Sequence, residues 1–146
     1  MCAYSDGGRI GATGQLICAS VCQVAQATLE FESQGFDLET GSVLSLDVPP
    51  PAASDFSFAD NSARPNPIVL FQNQATGTQI AFLNGTPFDS VGCSVGTPTF
   101  TIDLIDSPFD FDDTIIIRTA DGNVFKVGKA TNNGNNTVTF SYARLL

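Results

Sequence analysis

Residues 114–146 read TIIIRTADGNVFKVGKATNNGNNTVTFSYARLL, and this stretch decides the fold. Ile115 to Thr119 is largely β-branched, Asp121-Gly122 is a turn pair, and Val124 to Val127 resumes strand character. Asn132 to Asn136 is a second turn. After it Val138, Phe140 and Tyr142 alternate with Thr139, Ser141 and Ala143. Gly and Asn tolerate positive φ, so each turn has a backbone reason, and the three strands read as an antiparallel meander.

The same signals recur upstream. Gln15 to Ser33 is ambiguous: Ile17, Val21, Val24 and Thr28 share a helical face, yet Leu29, Phe31 and Ser33 alternate with Glu30 and Glu32. Strands are the favoured reading there. Phe36-Leu38 and Val43-Leu46 form a hairpin turned at Glu39 to Gly41, ended by Pro49, Pro50 and Pro51. Asp55 to Asp60 alternates again. Ile68 to Asn73 and Thr78 to Leu83 are two short strands across Gln74 to Gly77, and Thr86 to Val91 follows the Asn84-Gly85 turn. Thr99 to Ile105 is the best single alternating strand, and an acidic loop from Pro108 to Asp113 follows it. Met1 to Gly14 is Gly-rich and poorly patterned, a flexible arm ahead of one domain over residues 15–146. About nine or ten short strands with regularly spaced turns predict an all-β antiparallel sandwich. Its core is expected to be Phe, Ile, Val and Leu, given 12 phenylalanines and no tryptophan.

Composition narrows the function classes. The chain has 15 acidic and 6 basic residues, net charge −9, and the basic ones are scattered. Phosphate contacts need Lys and Arg, so nucleic acid and anionic membrane surfaces are disfavoured as partners. Apolar runs fall far short of the roughly 20 residues of a membrane span. No segment has the pattern of a signal peptide. Only 14% of residues are charged, and neutral hydroxyls and amides dominate the polar set, a profile suited to extracellular β-proteins.

Four cysteines, Cys2, Cys18, Cys22 and Cys93, allow three pairings. A four-thiolate zinc site is disfavoured, because 15, 3 and 70 intervening residues lack paired knuckles. Two disulfides are the favoured state, with free buried thiols as the alternative. Pairing of Cys18 with Cys22 is disfavoured, because along a strand or helix their Cα atoms sit near or beyond the bridging limit. A bond reaching Cys93 would tie the N-terminal arm to the body and imply an oxidising compartment. Cys2 is also a candidate lipid-anchor position.

Chemistry is constrained mainly by elimination. With no histidine, a Ser-His-Asp triad, a Cys-His pair and histidine metal ligands are excluded. Phosphate-cradling glycine motifs are missing as well. A carboxylate-based glycosidase stays formally open but lacks aromatic platforms. Asp110, Asp112 and Asp113, with Asp103, Asp106 and Asp121 nearby, are a candidate calcium cluster, although they do not match an EF-hand loop. The alternative is a solvated acidic loop with Phe109 and Phe111 tucked beneath it. Asn84-Gly85-Thr86 and Asn135-Asn136-Thr137 match the N-glycosylation sequon, the first weakened by Pro87. No cofactor other than calcium is suggested.

F-D-L-E-T-G-S-V (36–43), S-D-F-S-F-A (54–59), I-I-I-R-T-A-D-G-N-V-F-K-V (115–127) and V-T-F-S-Y (138–142) resemble the HmuY-type family. These are β-sandwich lipoproteins of bacterial surfaces whose founding members capture haem. The resemblance covers roughly residues 31–146 and implies a sandwich fold and an exported location. Two departures stand out: Asp55-Phe56 replaces an expected Asp-Trp pair, and no histidine or methionine pair is present to ligate haem. The expectation is therefore a non-catalytic secreted or cell-surface module that binds another protein or assembles with copies of itself. A haemophore-like carrier is the second reading.

Overall fold

The computed structural model describes residues 22–46, 53–60, 68–72, 77–94, 98–100 and 109–146. Among them are nine strands: β1 (Val24–Glu30), β2 (Gln34–Asp37), β3 (Ser42–Ser45), β4 (Phe56–Asp60), β5 (Ile68–Gln72), β6 (Gln79–Leu83), β7 (Thr114–Arg118), β8 (Val124–Asn132) and β9 (Thr137–Arg144). They make two antiparallel sheets, ordered β1-β9-β8-β7-β6 and β3-β2-β4-β5. The all-β sandwich expected from the strand spacing is the observed class. No described helix is long and apolar enough to cross a membrane.

The meander folds as its turns dictate. Gly122 closes the β7–β8 turn at φ +85°, donating to the Thr119 carbonyl over 2.9 Å. In the β8–β9 turn Gly134 and Asn136 both take positive φ, and the Asn132 side chain accepts the Gly134 amide. Within β8 the register slips between Gly128 and Thr131, a bulge that holds Lys129 at φ +52°. Strand character in the ambiguous N-terminal stretch is also observed: β1 pairs along its whole length with β9. A three-residue corner, Phe31–Ser33, then carries the chain to the other sheet, with Glu32 at φ +64° and its amide bonded to the Phe58 carbonyl.

The core lies between the sheets. Phe36, Phe56 and Phe58 from one sheet meet Leu29, Ile80, Ile115, Ile117, Val138 and Phe140 from the other, all fully buried. The rings pack edge-on, as in the Phe36–Phe140 pair at 5.1 Å between centroids. Each such Phe contributes on the order of 2–3 kcal/mol through burial alone.

β7 explains its own composition. Thr114 to Ile117 are all buried, because Ile116 faces a second apolar layer with Ala81, Val91 and Leu145 on the outer side of the sheet. That layer is fastened by Lys126, whose Nζ donates to the carbonyls of Phe88 (3.0 Å) and Val91 (2.7 Å). The ammonium also lies 4.1 Å from the centre of the Phe88 ring. Burial lowers its pKa.

Three expectations are corrected. Thr86 to Val91 is no strand: Phe88–Ser90 is a single 3-10 turn. Pro87 offers no amide to a ladder, and its carbonyl instead accepts the Ser90 amide over 3.0 Å. β5 and β6 do not pair with each other. β5 lies beside β4 and β6 beside β7, so the chain between them crosses from one sheet to the other. Phe111 is not tucked away; it is 54% exposed, while Phe109 is fully buried. The arm over residues 1–14 and most of the Thr99 to Ile105 segment lie outside the described residues, as do Asp103 and Asp106.

Candidate functional site

The β2–β3 turn begins the site. Asp37 Oδ1 accepts the amides of Glu39 (3.0 Å) and Thr40 (3.2 Å), and Gly41 turns at φ +69°. This aspartate-locked turn is the reason D-L-E-T-G folds back on itself. Asp55 enters from the residue before β4. Its backbone amide donates to the Phe36 carbonyl (2.8 Å), and its Oδ2 accepts the Leu38 amide at 2.7 Å. One oxygen each of Asp37, Glu39 and Asp55 then lies within 4.8 Å of the others.

The three carboxylates differ sharply in environment. Asp55 is only 4% exposed. Burial pushes its pKa up to about 7, opposed by the Leu38 hydrogen bond and assisted by the neighbouring charges of Glu39 and Asp37. A carboxylate oxygen of Asp55 lies within 4.8 Å of one on Glu39, and the raised pKa leaves part of the Asp55 population protonated at neutral pH.

Glu39 joins the two sheets. It accepts the Thr119 hydroxyl and, over 3.1 Å, the Asn123 amide, both from the β7–β8 turn. Asn123 Oδ1 in turn accepts an Arg144 guanidinium N–H over 2.6 Å. A polar chain thus runs Asp55–Glu39–Asn123–Arg144 across one end of the sandwich. Beyond Asn123 lies a cavity of about 300 Å³ whose walls include Phe100, Arg118, Asn123, Val124, Arg144 and Leu145. None of the three carboxylates lines it.

Three hard oxygen donors resemble a cation site, but all three already serve the fold, Asp55 by holding the Leu38 amide. Asp37 holds two turn amides, and Glu39 holds Thr119 and Asn123. The arrangement works as a clamp between turns.

The candidates named from sequence fall elsewhere. Asp113 is 4% exposed, and its two oxygens accept the amides of Gly85 (2.6 Å) and Asp110 (2.9 Å). Asp110 is half-buried, and Asp112 is exposed. Asp113 thereby pins the acidic loop to the Asn84-Gly85 turn. Asn84 and Asn135 are both exposed in turns, and Asn135 Oδ1 accepts the Thr137 hydroxyl at 2.5 Å. Cys22 and Cys93 form a disulfide with Cα atoms 5.5 Å apart, while Cys2 and Cys18 lie outside the described residues. Asp37, Glu39, Asp55 and Arg118 fall within the segments quoted for the family resemblance, but neither they nor Arg144 were named there as site residues. The signals available were D-L-E at a hairpin turn and the Asp55-Phe56 pair, and nothing local to either says that the two fold together.

Compared with known proteins, the chain matches no family model and no curated sequence.

Proposed function

We propose that this chain is a non-catalytic extracellular β-sandwich module that acts by assembling with a second copy of itself, through strand addition at β1. The observation that carries this reading is the free edge of β1. Among the described residues only β9 pairs with it. Val24, Ala25, Gln26, Thr28 and Glu30 are exposed. Natural edge strands are commonly blunted by Lys, Pro, bulges or short length. The strand VAQATLE has seven residues, no Lys, no Pro and a single charge. Antiparallel self-pairing centred on Ala27 sets Val24 opposite Glu30 and Gln26 opposite Thr28, with no like charges facing each other.

The Cys22–Cys93 disulfide supports an oxidising, extracellular setting. The lack of histidine and the engagement of Asp55 and Glu39 by Leu38, Thr119 and Asn123 support a role without catalysis.

Light scattering coupled to size exclusion, run from micromolar to near-millimolar protein, tests the assembly. The expected result is concentration-dependent dimer or larger species, weakened at least tenfold by Ala25→Lys with Gln26→Lys while the circular dichroism spectrum is kept. A monodisperse monomer throughout the range defeats the proposal.

A further inference from the structure

We propose that the cavity beside β8 is a binding site for a small carboxylate with a short apolar body. This goes beyond the β1 reading and does not depend on it. The chain holds only 6 cationic residues against 15 acidic ones, yet two of the six, Arg118 and Arg144, line one cavity of about 300 Å³. That volume suits a ligand of roughly this size class.

Both guanidiniums are oriented, and by neutral partners. Arg118 ends β7 and donates to Gln79 Oε1 over 3.2 Å; its guanidinium carbon lies 4.2 Å from the centre of the Phe100 ring. Arg144 ends β9 and donates to Asn123, which Glu39 holds from the far side. Among the described residues neither guanidinium forms an ion pair; the described pair is Lys129–Asp89. A guanidinium has five N–H donors in a planar fork that matches a carboxylate, so most of the donors on each arginine are left for a ligand.

The remaining walls are apolar. Pro98, Phe100, Val124, Leu145 and Leu146 face the same space. Backbone bonds hold two of them in place: the Leu145 amide donates to the Val124 carbonyl and the Leu146 amide to the Cys93 carbonyl, each over 2.8 Å. The Cys22–Cys93 disulfide therefore braces one wall. Two forks and apolar walls around one space select an anion that carries hydrocarbon, and a bare inorganic anion would leave those walls uncovered.

The test is a titration of isotope-labelled protein followed by amide NMR shifts. Hexanoate is the probe, hexanol the body without the charge, and inorganic phosphate the charge without the body. Hexanoate is expected to shift residues 118, 122–124 and 144–146 saturably. Arg118→Gln and Arg144→Gln should each weaken it about tenfold or more, with spectra elsewhere unchanged. Hexanol and phosphate should bind markedly less well to the wild-type protein. Absence of saturable hexanoate shifts, or binding of either control as tight as hexanoate, overturns the proposal even if a variant fails to fold.

Discussion

Asp55 shows how a single carboxyl takes its properties from its surroundings. The residue sits at the mouth of β4, almost fully buried, with Glu39 and Asp37 as like-charged neighbours and pKa near 7. Its folded value is raised above the unfolded value of 3.8, so the native state holds the proton more tightly. The contribution to stability is fully present below the unfolded pKa. It declines as pH rises from about 4 and levels off above about 7. The whole change is on the order of 2–4 kcal/mol. Asp55→Asn keeps an acceptor for the Leu38 amide and carries no titrating carboxyl. Denaturant midpoints at pH 5 and pH 8 should therefore differ much less in this variant than in the wild type. The variant should also equal or exceed the wild type at pH 8. An unchanged pH dependence would place the titration on another group.

At the scale of elements, contact between sheet residues is set by what has no side chain. Gly35 in β2 pairs with Leu44 and Ser57. A Cβ built there would lie 2.1 Å from Ser54 Oγ and 2.9 Å from a Leu46 methyl. Ser54 is fully buried, and its hydroxyl has no hydrogen-bond partner among the described residues. Gly35→Ala should destabilise the four-stranded sheet by about 1–3 kcal/mol through overpacking. Ser54→Ala removes an unsatisfied polar atom and should be neutral or stabilising, and Ser54→Gly should recover part of the Gly35→Ala loss. Thermal unfolding of the three variants and the double variant checks this. Destabilisation by Ser54→Ala would show that its hydroxyl does have a partner.

Across the whole molecule, the Cys22–Cys93 disulfide spans a sequence separation of 71 residues. It joins the residue leading into β1 to the loop over the outer face of the same sheet, where Cys22 packs on the Ala81–Ile116–Leu145 layer. Closing so long a loop restricts the unfolded chain by about 4 kcal/mol in the chain-entropy model. The Cys22→Ala/Cys93→Ala variant should lose stability of that order in denaturant titrations. A loss below about 1 kcal/mol would mean that the unfolded chain is already confined near this closure.

The strands and their turns were legible in the chain. Ile115 to Ile117, the alternation from Val138 to Tyr142, and the Asp121-Gly122, Asn132–Asn136 and Glu39–Gly41 turns all act through local backbone preference, which a sequence displays directly. The Thr86 to Val91 segment was misread as strand although Pro87 stands in it, and that residue's missing amide accounts for the 3-10 turn found there. The sheet to which each strand belongs was not legible. β5 and β6 are separated by a few residues yet lie in different sheets, because the pairing is chosen by which faces must be buried across the whole core. The same reason hid the polar end of the molecule. Asp55, Glu39, Asn123 and Arg144 lie on four separate segments, and Arg118 and Arg144 end two strands 26 positions apart in sequence. Local preference determined the strands and turns of this protein. Burial across two sheets alone decided that its buried carboxyl titrates near neutral pH and that two of its few arginines line one cavity.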